Sequence, residues 1–142
     1  MKYIFIMLSL IFFDNGCSQT KINQDAISFE YTAQSRGSHI NIIINKKTIS
    51  TTRKRGGKPN SKICSETNWN ALMKVTKPVD IEKLSSLKAP SKKFQFDGAA
   101  IARLKISYQD SIFETPPFDH GNPPKEIATL VKEILSLSEN IE

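Results

Sequence analysis

Two cysteines and two histidines are all that the 142 residues provide, and this scarcity narrows the chemistry at once. A zinc centre takes three or four ligands drawn mainly from Cys, His, Asp and Glu, so the supply for one is thin. At most one disulfide can form. No Gly-x-Ser-x-Gly elbow, no glycine loop able to cradle phosphates and no His-Glu-x-x-His pair occurs, so none of the hydrolase or nucleotide-binding signatures that carry a mechanism in their spacing is present. Nor does any apolar run approach the roughly 20 residues that cross a bilayer as a helix. The longest, Tyr3 to Phe13, is stopped by Asp14 and Asn15.

That run follows Met1-Lys2, so one positive charge precedes an apolar stretch of signal-peptide length. At its end stands Gly16-Cys17-Ser18, which resembles the lipobox of bacterial lipoproteins. Asp14 departs from the aliphatic residue usual three positions before the cysteine, a departure that the lipoboxes of Bacteroidota tolerate. Residues 1–16 are therefore expected to be a lipoprotein signal peptide and Cys17 the acylated residue, with 17–25, polar and aperiodic, a flexible tether. The competing role for Cys17 is a disulfide to Cys64, which an oxidising compartment permits. If Cys17 is acylated, Cys64 is left as a single thiol, more often an inert small hydrophobe than a nucleophile. Surface lipoproteins of Bacteroidota resemble one another in carrying acidic residues after the cysteine. Ser18-Gln19-Thr20-Lys21 has none, so the domain is expected in the cell envelope, facing the periplasm.

The remainder, 26–142, is long enough for one domain with its own core, and the chain carries a formal charge of +6. Ile27, Phe29, Tyr31 and Ala33 alternate with polar residues, as do Ile40, Ile42 and Ile44, and both patterns predict half-buried strands. Ser35-Arg36-Gly37-Ser38 is a turn between them. Asn45-Lys46-Lys47 closes a second hairpin into Thr48 to Arg53, a Thr-rich segment expected at a sheet edge, and Lys62-Ile63-Cys64 re-enters the sheet. Ser65 N-caps a helix with Trp69, Leu72, Met73 and Thr76 at helical spacing, ended by Pro78. Asp80 is expected to cap a short turn carrying Ile81, Leu84 and Leu87.

After Asp97-Gly98, Ala100, Ala102, Leu104, Ile106 and Tyr108 share one face, while Arg103, Lys105 and Ser107 share the other, so one side of the sheet is wet. Ile112 to Thr115 forms the next strand, stopped by Pro116-Pro117. Asn122 is expected to cap a last helix, opened by Pro123-Pro124 and bearing the stripe Ile127, Leu130, Val131, Ile134 and Leu135. The resulting fold class is α+β: two layers, an antiparallel sheet of about five strands with two helices packed on one face.

The segments Phe96-Asp97-Gly98-Ala99-Ala100-Ile101-Ala102 and Phe118-Asp119-His120-Gly121-Asn122-Pro123-Pro124-Lys125-Glu126-Ile127 resemble a family of small uncharacterised exported proteins of flavobacteria and their relatives. The resemblance spans about Ile27 to Asn140 and implies an envelope setting, with no catalytic residue or cofactor. Antiparallel geometry would bring Asp97 toward Asp119 and His120, a polar set suited to acid-base work or a metal. The plainer role for Asp97 is a turn, and for Asp119 acceptance of amides at the start of the last helix. His39 lies far off in sequence.

The densest positive run is Arg53-Lys54-Arg55 with Lys58 and Lys62, suited on a hairpin arm to the phosphates of lipid head groups or another anionic envelope component, or to a nucleic acid, while the plainer reading is a solvated, flexible loop. No aromatic side chain is interleaved for base stacking, which disfavours nucleic acid. The chain therefore reads as a non-enzymatic envelope lipoprotein, tied to the membrane through its lipid and binding a partner through its sheet or basic hairpin. A hydrolase using Asp97, Asp119 and His120, or an inhibitor presenting a loop to a periplasmic hydrolase, are the competing readings.

Overall fold

The period of two that begins at Ile27 becomes strand β1 (Ile27–Gln34) in the computed structural model, which describes residues 23–139 and 141. The expected signal peptide and Cys17 lie outside the described residues. From β1 the chain meanders through β2 (His39–Ile44), β3 (Thr48–Thr52) and β4 (Asn60–Ile63). It then leaves for α1 (Glu66–Thr76) and returns as β5 (Ile101–Tyr108) on the free side of β1. Two short pieces, β6 (Ser111–Glu114) and β7 (Phe118–Asp119), both pair with β5, and α2 (Ala128–Ser138) ends the fold. The antiparallel sheet has seven strands in the order β4-β3-β2-β1-β5-β6, with β7 beside the start of β5.

The alternation places Phe29, Tyr31, Ile42, Ile44, Ile49, Leu104 and Ile106 on one buried face. The opposite face carries a registered row running Ser61, Ser50, Ile43, Glu30, Lys105, Glu114 from edge to edge. Glu30 and Lys105 form an ion pair, and Arg103 reaches Glu114 at 3.3 Å, so this side suits water, as the charged residues of β5 imply. Both helices cover the apolar side. Ser65 Oγ accepts the amide of Asn68 at 3.1 Å and starts α1, which turns Trp69, Leu72, Met73 and Thr76 inward. The Trp69 ring meets Phe29 edge-on at 6.2 Å and 66°. Leu130, Val131, Ile134 and Leu137 of α2 complete the core, each large aliphatic contributing about 1.5–3 kcal/mol by leaving water.

One strand, β7, was not expected and another, β4, starts earlier than Lys62, and both differences have local causes. Thr48–Thr52 is not an edge, because β4 pairs along it from Asn60 to Ile63 and takes the edge itself. Along β5, Pro116 and Pro117 interrupt the outer strand, since proline has no amide to continue the ladder. Thr115 bridges the gap: its amide donates to the Leu104 carbonyl at 2.9 Å, and its buried hydroxyl accepts the Leu104 amide at 3.1 Å. Without that hydroxyl the amide would be orphaned, at about 1–3 kcal/mol. Past the prolines the chain rejoins as β7, too short to show a period in sequence.

Three further expectations change. Asn23–Asp25 belong to the domain rather than the tether: the Asn23 amide donates to the Tyr108 hydroxyl at 3.1 Å, and Asp25 sits 2.6 Å from Lys46 Nζ. Asp80 makes no capping bond to the 3₁₀ turn Ile81–Ser86 and instead pairs with Lys83 at 3.1 Å. Asn122 does not cap the last helix, which opens through a 3₁₀ turn, Lys125–Ile127; its side-chain Nδ2 donates to Ser91 Oγ at 2.8 Å.

Candidate functional site

Three loops meet at one end of the sheet. The first is the β1–β2 hairpin tip, where the Ser35 amide donates to the Ser38 carbonyl at 2.9 Å and the two serine hydroxyls meet at 2.8 Å. This puts Arg36 at the corner. The second is the β3–β4 tip: the Gly57 amide donates to the Lys54 carbonyl at 2.9 Å, and Gly56 has φ +71°. A tight turn with positive φ only at its third residue favours glycine there and leaves the second residue, Arg55, at the corner. Arg55 Nη2 donates to the Ser35 carbonyl at 3.5 Å, linking the two tips.

The third loop contains the 3₁₀ turn Lys93–Phe96, closed by Asp97 in the left-handed region at φ 56°. Asp97 then pairs with Arg36 at 3.5 Å, both side chains well exposed. Together the loops wall an open cavity of about 540 Å³ lined by Gln34, Arg36, Arg55, Phe94, Asp97 and Ile101 among others. Phe96, 84% exposed, stands on the same loop. Two guanidinium groups opposed by one carboxylate, over an apolar wall, suit an acidic ligand with an apolar part.

Asp97, Asp119 and His120 do not form a cluster. Asp119 is buried, and its carboxylate accepts the Ser91 hydroxyl, the Lys93 amide at 3.0 Å and the Phe94 amide at 2.8 Å. It therefore fastens the third loop rather than the start of the last helix, because β7 turns it toward residues 91–94. Burial pushes this carboxyl up, but the bonds from Ser91, Phe94 and Lys93 outweigh that and hold it below its ordinary value. His120 turns elsewhere, its Nδ1 2.7 Å from the hydroxyl of the fully buried Tyr31. Burial lowers the His120 pKa and raises that of Tyr31. Both are thus neutral at pH 7 and share one hydrogen bond, whose donor is set by the imidazole tautomer. Among the described residues no group of three or more His, Cys, Asp and Glu is placed to hold a metal ion.

The basic run also divides. Arg53 Nη2 donates to the Ser138 carbonyl at 3.2 Å, at the C-terminal end of α2 where a cation is favoured. Lys54 and Lys58 line a smaller cavity of about 200 Å³ with Thr51 and Ile141. Lys62 sits on β4 opposite Ile49 and borders neither cavity. Only Arg55 of the five reaches the larger site. Cys64 is buried, and burial pushes its thiol up, with nearby Lys62 acting in the opposite sense.

Sequence reasoning missed Arg36, Phe94 and Phe96. The signal for Arg36 was present in Ser35-Arg36-Gly37-Ser38, a turn whose corner residue is an arginine, but its neighbour across the sheet cannot be read from spacing. No protein-family model, curated protein or solved structure matches this chain.

Proposed function

We propose that this is a non-enzymatic lipoprotein of the bacterial envelope, held through lipid on Cys17, whose domain binds another protein through the loops at the Arg36/Arg55 end. The observation that carries this reading is the polarity of β1. Asn23, next to the tether, is fastened at the start of the strand by Tyr108, while Gln34 and Arg36 stand at its finish. Eight residues of strand at about 3.3 Å each separate the two ends by roughly 25 Å. An anchored domain can then hold its membrane end down and offer the arginines outward. Asp119 has its carboxylate occupied by loop amides, which leaves the hydrolase reading without a free base at that position.

Two acyl chains give a stable anchor where one is marginal, at about 0.8 kcal/mol for each buried CH₂. Among the described residues no helix is long and apolar enough to cross a membrane, and the stripe of α2 is spent on the core. Cys17→Ser should consequently release a folded protein to the soluble periplasmic fraction, with wild type retained in membranes and its mass raised by the lipid. Membrane retention of Cys17→Ser, or a Cys17–Cys64 disulfide in the wild type, would overturn the anchor.

A further inference from the structure

We infer that the Arg36/Arg55 cavity recognises an acidic peptide segment of the partner, and that Asp97 occupies Arg36 as an internal stand-in for the ligand carboxylate until that segment arrives. This rests on the protein-binding reading above and names the chemistry of the partner.

Arg36 and Arg55 occupy the corners of adjacent hairpin tips, so the backbone turns fix where both residues stand at the cavity. Arginine offers a planar fork that meets a carboxylate through two parallel bonds. Among the described residues only one carboxylate, Asp97, lines the same cavity, leaving an excess of positive charge to be matched by a ligand. Phe94 and Ile101 supply an apolar wall, and the exposed Phe96 belongs to the same loop as Phe94. A peptide presenting carboxylates and an apolar side chain satisfies both features. A bare inorganic anion would leave the wall unused.

The Arg36–Asp97 pair has the properties of a replaceable contact. Its separation is 3.5 Å, with the Arg36 and Asp97 side chains 90% and 74% exposed, and exposed pairs of this kind contribute little to stability. A ligand carboxylate can take Asp97's place without dismantling the loop, because the loop is held from behind by Asp119 through the Lys93 and Phe94 amides. Asp97 thus sets specificity: it weakens binding of any single stray anion and yields to a segment that engages Arg36, Arg55 and the apolar wall together.

The test is titration of the full-length protein, purified in detergent, with poly-L-glutamate at physiological salt. Arg36→Gln and Arg55→Gln should each weaken binding about tenfold or more, as loss of a charge-assisted contact implies. Asp97→Asn should tighten it about two- to fivefold, the scale of an exposed ion pair. Lys74→Gln, which removes one charge from the exposed side of α1, should leave it unchanged, and thermal melts of all four variants verify folding. Equal weakening by Lys74→Gln would show charge attraction without a site and overturn the proposal, as would unaltered or weaker binding of Asp97→Asn. Phosphatidylglycerol vesicles bound in preference to poly-L-glutamate, with the same arginine dependence, would reassign the cavity to lipid headgroups. Crosslinking in native membranes separates the two levels. Capture of a partner that is indifferent to both arginine variants defeats this inference alone, whereas no reproducible partner for wild type defeats the binding function itself.

Discussion

Asp119 shows how a residue that reads as chemistry can act as architecture. Its carboxylate stays ionised in a buried place because a hydroxyl and two amides point at it, and the site loop is held by those bonds. Since its folded pKa lies below the unfolded value of about 3.9, its contribution is whole above that pH and is lost as pH falls through the folded value. Denaturant melts between pH 7 and pH 2 should show wild type losing stability in the acid range, with Asp119→Asn less stable at pH 7 and flatter below pH 4. Hydrogen exchange at the Lys93 and Phe94 amides should quicken in that variant. An unchanged acid profile would mean that the carboxylate does not fasten the loop. His120 acts in the same direction at higher pH: its lowered pKa costs stability as pH falls below the ordinary histidine value of about 6.5, where the unfolded imidazole takes up a proton before the folded one does.

At the scale of elements, what was legible followed periodicity. The apolar faces of β1, β2 and β5, the α1 stripe and Leu130, Val131 and Ile134 of α2 came directly from apolar spacing, because each element buries one face, whereas Leu137 is buried and Leu135 only half-buried. What escaped depended on contacts distant in sequence. β7 is two residues whose pairing is set by β5, and β4 was read only from Lys62 onward because its first residues, Asn60 and Ser61, are polar and exposed. The basic run looked like one patch, yet Arg53 serves α2 and only Arg55 turns to the cavity. Arg53→Gln should cost about 0.3–1 kcal/mol, rising toward 2 in this partly buried setting, read as a lowered urea midpoint, while poly-L-glutamate affinity stays at the wild-type level. A loss of affinity matching that of Arg55→Gln would return Arg53 to the binding surface.

For the whole molecule, the sheet acts as a spacer with unlike ends. One end carries Asn23, Asp25, Lys46 and the β5–β6 turn; the other gathers both arginine corners and Phe96. Neither pole is visible from composition, since the net charge says nothing of where charge collects, and only the strand order β4-β3-β2-β1 brings the first and third hairpin connections to the same side. The most direct test is photo-crosslinking in intact cells, with a benzophenone amino acid in place of Phe96 in one strain and in place of Ile112 in another. Ile112 is 67% exposed on the wet sheet face, paired with Ser107 near the Ile27 end of β1. Discrete protein adducts from position 96, reduced when Arg36 and Arg55 are both replaced by Gln, and none from position 112, are the expected result. Equal labelling from both positions, or adducts from 112 alone, would contradict recognition by the arginine end.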